Sequence, residues 1–149
     1  MTTRIDPTRI DPARFAPTLL RVALGLLFFA HGWTKLTVFT PEGTAAFFQA
    51  HGFPGWTAYP VIAAEIGGGL ALIAGLRARW VALGLVPIMI GAIKPHLANG
   101  FMFTNANGGW ELPALVLILV IVQAALGSGA WSLDDVLARA ARRPRLRAA

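Results

Sequence analysis

The sequence predicts an all-α membrane protein, a bundle of four transmembrane helices, and three observations lead there. The 149-residue chain is 56% hydrophobic and only 13% charged, where an ordinary soluble domain carries about 25% charged residues. Its mean hydropathy is +0.61. Its apolar residues also collect into four segments, 18–36, 57–76, 80–97 and 110–126, each near the length of about 20 residues that crosses a bilayer as a helix. One compact bundle over residues 17–131 accounts for the length, flanked by tails at 1–16 and 132–149, with no room for a separate soluble domain.

Residues 3–12 read TRIDP twice, and ARFAP at 13–17 is a decayed third copy. A five-residue period fits neither helix nor strand, so residues 1–16 are expected to be a flexible tail. Arginines ahead of an apolar run mimic a signal peptide, but no small-residue cleavage pattern follows and the run is long enough to span. That first segment ends with His31 and Lys35, spaced i,i+4 on one helical face. In the connection at 37–56, Pro41 and Glu42 suit a helix start and Gly52 with Pro54 a stop. The helix they frame is too short to span and is expected to lie at the interface, with Trp56 and Tyr59 as headgroup-level anchors and His51 as a solvated surface histidine.

The second segment carries Glu65 and small residues four apart, Ala64 and Gly68 on one stripe, Gly67, Ala71 and Gly75 on another, a pattern that lets helices approach closely. After a tight basic turn at 75–79, the third segment contains Pro87 and Pro95, which predict a kink and free backbone carbonyls for polar groups or water. A turn-rich loop, NGFMFTNANGG, precedes Trp110 and Glu111, which open the fourth segment. Beyond the Gly127-Ser128-Gly129 breaker, Ser132 can cap a short helix with Leu133, Val136, Leu137 and Ala140 on one face, expected as a basic cytoplasmic surface helix.

Lysine and arginine total 13 against 7 acidic residues, and the pI is 11.4. This basicity needs no nucleic-acid partner. The arginines cluster near both termini and at the Arg77 and Arg79 turn, a positive-inside pattern that puts both termini in the cytoplasm. Cysteine is absent, which excludes a dithiol relay, a thiolate metal site and a disulfide.

That topology gathers His31, Lys35, Glu65, Lys94, His96 and Glu111 in the outer halves or at the outer ends of all four segments, and predicts a polar cavity under the outer loops. Glu65 lies about 12 Å along its helix at roughly 1.5 Å per residue, too deep for its short side chain to reach the headgroups. It is expected inside the bundle, within reach of a polar residue from another segment, with Lys94, His31 and His96 the candidates. Blander readings stand beside this one. Glu65 could be structural glue, His31 a satisfied bundle histidine, Lys35 a lysine snorkelling to the interface, and Glu111 a carboxylate balancing a helix dipole. Lys94 and His96 flank Pro95 and point nearly opposite ways, so one of them faces the bundle. His31, His96, Glu65 and Glu111 are acceptable metal ligands, but no compact ligand motif joins them and no metal site is expected.

The runs His31-Gly32-Trp33-Thr34-Lys35-Leu36, Glu65-Ile66-Gly67-Gly68-Gly69-Leu70 with Gly75-Leu76, and His96 followed by Gly100-Phe101 and Gly108-Gly109-Trp110-Glu111, together resemble the DoxX family. The resemblance covers about residues 18–135 in order; Arg77-Ala78-Arg79-Trp80 departs mildly from the family's turn. It implies a small four-helix protein of the bacterial inner membrane, described as an oxidoreductase subunit and in some relatives linked to quinone or sulfur-compound oxidation. No flavin, nicotinamide, haem or iron–sulfur motif is present, so the redox reading and a quinone rest on the resemblance. If a quinol is oxidised, Glu65, His31 or His96 could accept its proton and Lys94 could stabilise the phenolate, with Lys35, Trp110 and Glu111 as candidate cofactor-binding residues. The expected partners are the bilayer and a soluble or membrane redox protein. Two other functions compete: a non-catalytic scaffold recruiting a partner through its loops or basic tail, and passage of a small solute or proton through a homo-oligomer.

Overall fold

The computed structural model describes residues 11–142; most of the TRIDP repeat and the end of the basic tail lie outside them. All regular structure among the described residues is helical: α1 (Pro12–Thr37), α2 (Pro41–Ala50), α3 (Ala58–Ala74), α4 (Ala78–Ile93), α5 (Glu111–Leu126) and α6 (Leu133–Arg142). Short 3-10 turns at Gly55–Thr57 and Lys94–Asn99 lead into α3 and extend α4.

Three stretches are long and apolar enough to cross a membrane: Pro12–Thr37, Gly55–Ala74 and Ala78–Asn99, of 26, 20 and 22 residues. The fourth apolar helix, α5, has 16 residues, about 24 Å at 1.5 Å per residue against a hydrocarbon core of about 30 Å. The first helix starts earlier than expected. The Asp11 carboxylate accepts the Ala13 N–H at 3.0 Å, and Pro12 sits at the first helical position, where its missing N–H costs nothing. Residues 12–16 are therefore helix, a correction to the flexible tail expected over 1–16.

α1 and α3 pack antiparallel, as do α4 and α5, and contacts of α3 with α4 and of α1 with α5 join the two pairs. On α3 the buried residues Ala58, Ile62, Glu65, Gly69 and Leu72 recur every three or four positions, one stripe of a 3.6-residue helix. The opposing stripe on α1 includes Arg21, Gly25, Phe28 and Gly32. The two backbones touch where glycines face. A Cβ on Gly69 would lie 2.6 Å from the Phe29 nitrogen, and one on Gly32 2.9 Å from the Glu65 Cβ. The close approach thus runs through Gly69 and not along the expected Gly67 stripe, since a Cβ on Gly67 would meet nothing within 4 Å.

Arg21 does more than mark a basic side. Its side chain is buried, and its guanidinium donates to the Leu72 and Ile73 carbonyls at 2.6 Å each and to Trp131 O at 3.3 Å. Carbonyls in the last turn of a helix have no intrahelical partner and carry its negative partial charge, so the cation satisfies both needs. Gly75, at φ 71°, ends α3 in the left-handed conformation.

α6 is tied to this same end. The Asp134 carboxylate accepts from the Arg77 N–H at 2.9 Å and from the Ser128 hydroxyl, and Asp135 pairs with Arg14. Burial alone would raise the pKa of Asp134, but the hydrogen bonds from Ser128 and from the Arg77 and Ala78 backbone, with the Arg77 charge, hold it below its ordinary value.

Candidate functional site

A cavity of about 600 Å³ opens among α1, α2, α3, α4 and α5, with mostly apolar walls. Glu65 reaches it from the middle of the buried stripe of α3. The Glu65 side chain is only 7% exposed, and its two oxygens accept from Lys35 Nζ at 2.8 and 2.6 Å. Lys35 comes from the last turn of α1, on the stripe of Phe28 and Gly32 that faces α3. An isolated carboxylate at this depth would be strongly desolvated; a bidentate ion pair offsets that penalty.

All three histidines of the chain line this cavity. In each, Nδ1 lies against a backbone carbonyl: His31 on Leu27 O at 2.9 Å, His51 on Phe47 O at 2.8 Å, His96 on Gly108 O at 3.1 Å. A carbonyl only accepts, so Nδ1 carries the proton and a neutral ring keeps its lone pair on Nε2. The cavity walls therefore hold Glu65, Lys35 and three imidazoles whose Nδ1 atoms are each taken up by a backbone carbonyl.

Of the expected site residues, Glu65, Lys35, His31 and His96 come together on this cavity. The others do not. Lys94, expected as a partner of Glu65, pairs elsewhere: Nζ sits 4.4 Å from the centroid of the Phe53 ring and 3.4 Å from Gly52 O, in the segment after α2. Lys35, read as snorkelling to the interface, is instead the partner of Glu65, because the stripe that buries Phe28 and Gly32 against α3 carries it inward. Trp110 and Glu111 organise the 100–111 loop. Glu111 accepts the Phe103 N–H at 3.2 Å, Trp110 packs edge-on against Phe101 with centroids 4.8 Å apart, and a Cβ on Gly109 would lie 2.4 Å from the Phe101 and Met102 carbonyls. His51, expected to be merely solvated, is a wall residue. No local signal marks it, since the α2 connection folds back over the cavity through non-local packing. Among the described residues, no group of three His, Asp or Glu side chains is placed to hold a metal ion.

Fold and site together define a small helical membrane protein with an ion-paired, apolar-walled cavity. The chain belongs to the DoxX family, whose profile matches residues 16–105. It is 38% identical over 117 residues to the Putative oxidoreductase CatD of Bacillus subtilis (strain 168), covering 78% of this chain and 82% of that protein. It is 31% identical over 120 residues to the Inner membrane protein YqjF of Escherichia coli (strain K12), covering 78% of this chain and 88% of the relative. No solved structure matches it significantly.

Proposed function

We propose that this protein is the membrane subunit of a quinone-linked redox complex and that the cavity beside Glu65 is its quinol site. The observation that carries this reading is the Lys35–Glu65 pair, nearly buried yet on the wall of an apolar cavity whose volume falls within the roughly 300–1,000 Å³ typical of small-molecule sites. A quinol needs apolar walls for its ring and tail, acceptors for two hydroxyl protons and a cation for the phenolate formed as one of them leaves. Glu65 accepts the first proton, Lys35 stabilises the resulting anion, and a histidine Nε2 accepts the second. The two electrons released as quinol becomes quinone pass to a redox partner protein. The oxidoreductase name of the Bacillus subtilis relative supports the class of reaction.

In this arrangement α1, α3, α4 and α5 all cross the bacterial inner membrane, the shorter α5 by local thinning of the bilayer or by snorkelling of its flanks. α2 lies at the outer interface over the cavity, and both termini are cytoplasmic. The test is binding of short-tailed ubiquinol and menaquinol analogues to purified protein, followed by tryptophan fluorescence. Wild type should bind, and Glu65→Gln and Lys35→Met should each weaken binding about tenfold or more, the equivalent of one charge-assisted hydrogen bond. No binding of any analogue to folded wild-type protein would overturn the proposal.

A further inference from the structure

α6 leaves the bundle with an apolar face that no other described part of the chain covers. Leu133, Val136 and Leu137 are 45%, 60% and 57% exposed. With Ala140 they fall within an arc of roughly 100° at about 100° per residue, while Asp134 and Asp135 lie outside it. Both acids are engaged at the bundle end, Asp134 by the Arg77 N–H and the Ser128 hydroxyl, Asp135 by Arg14. The later charges are all cationic: Arg139 lies about 60° beyond one edge of the apolar arc, as Asp134 does beyond the other, Arg142, Arg143, Arg145 and Arg147 come after, and no acidic residue occurs beyond Asp135. Immediately before α6, Trp131 is 71% exposed on a left-handed backbone at φ 49°, while the next residue, Ser132, is buried. Trp80, at the same end of the bundle, is 70% exposed.

We propose that α6 and Trp131 form a docking surface for the anionic headgroup layer of a lipid bilayer. The helix lies in the interface, its apolar arc entering the acyl boundary and its arginines contacting lipid phosphates. Three features favour this occupant. A helix with an apolar arc and a cationic C-terminal half has the composition of interfacial helices. Exposed tryptophans are most favourable at headgroup depth, and two stand at this end of the molecule. A polybasic run is attracted to the negative leaflet, whereas a second copy would bring two such runs together in repulsion. The arc is also small beside the roughly 1,200 Å² or more buried by a stable protein interface. The inference does not depend on what the cavity binds.

The chain has no cysteine, so one introduced thiol carries a unique spin label. Full-length Val136→Cys and Ala138→Cys proteins, labelled and reconstituted, are compared in phosphatidylcholine vesicles with and without phosphatidylglycerol. Collision with oxygen and with a water-soluble nickel chelate is measured at each site. In anionic vesicles the label at position 136 should be oxygen-accessible and shielded from nickel, and the label at 138 the reverse. That shielding should fall several-fold in pure phosphatidylcholine, and likewise when Arg139, Arg142, Arg143, Arg145 and Arg147 are replaced by glutamine. Unchanged thermal unfolding of each variant ensures that the bundle is intact. Equal nickel access at the two positions in anionic vesicles would overturn the proposal. So would shielding that ignores both lipid charge and the arginines, or shielding with label–label broadening that unlabelled protein dilutes away, which would assign the face to a second copy.

Discussion

Replacing Lys35 by methionine tests the centre of the site. The substitution keeps an unbranched apolar stem but removes the cation that meets both Glu65 oxygens at 2.6 and 2.8 Å. Removing one partner of a buried pair costs about 3–5 kcal/mol, because the remaining charge stays desolvated. Here the Lys35 side chain is 21% exposed and the Glu65 side chain 7%, so some water reaches the pair and the low end, about 3 kcal/mol, applies. For a chain of this size that lowers the unfolding midpoint by roughly 6–12 °C, at about 2–4 °C per kcal/mol. The converse change, Glu65→Gln, strands the more exposed member on a flexible stem that can swing toward water, and should cost only about 1–2 kcal/mol. The double variant should recover most of the loss of Lys35→Met, since neither charge is then left alone. The assay is thermal unfolding in nanodiscs, followed by tryptophan fluorescence. A Lys35→Met midpoint within about 1 °C of wild type would refute the reasoning, and so would a Glu65→Gln protein less stable than Lys35→Met, because the cost must track the more buried charge.

Three further outcomes are expected. Arg21→Met should destabilise the protein by about 1–3 kcal/mol in the same unfolding assay, since it removes the side-chain donor of the Ile73 carbonyl and leaves the Leu72 carbonyl with the Gly75 N–H alone. Gly69→Ala should cost about 1–3 kcal/mol by driving a Cβ into the Phe29 backbone, whereas Gly67→Ala, with open space around it, should be neutral or slightly stabilising. Asp134 has a folded pKa below its ordinary value, so its contribution to docking α6 is complete above about 3.9 and is lost as pH falls through the lower folded value. Hydrogen exchange across α6, corrected for intrinsic rates, should show protection falling in that acid window, and Asp134→Asn should abolish the pH dependence.

Helix placement was legible because it depends on local composition: the apolar segments predicted at 57–76 and 110–126 differ from α3 and α5 by no more than two residues at either end. The start of α1 was written in the sequence as Asp11 followed by Pro12, a capping residue and a first-turn proline. The TRIDP period disguised it by making the same two residues look like repeat elements. That Glu65 would find a partner from another helix also came from energetics alone, since a carboxylate at that depth cannot be left bare. Its partner was misjudged for a geometric reason. Height along the bundle can be counted from helix ends, but azimuth requires knowing which stripe each helix turns toward its neighbour. For Lys35 that information was present: Gly25, Phe28, Gly32 and Lys35 recur at three- and four-residue spacing, and the two glycines mark the side where a neighbouring backbone must pass. For Lys94 it was not, because the α4 regular helix gives way at Ile93 to a 3-10 turn whose tighter winding rotates the side chains from Lys94 onward. His51 was illegible for a third reason, since the return of α2 over the cavity is a tertiary event with no periodic trace.

The two cations on the α3-facing side of α1 meet different kinds of acceptor. Arg21 and Lys35 are separated by about four helical turns at 3.6 residues per turn, and both cross to α3. Arg21 meets backbone carbonyls, acceptors that cannot titrate, in a site closed by Ser132 and the Gly75 turn. It holds α1 to the end of α3. Lys35 meets a carboxylate beside a cavity. The Gly25 and Gly69 contact between these ends fixes the separation of the two helices. The two ends of one helix pair are thus joined differently, by a guanidinium on backbone carbonyls at one and by an ion pair beside a cavity at the other.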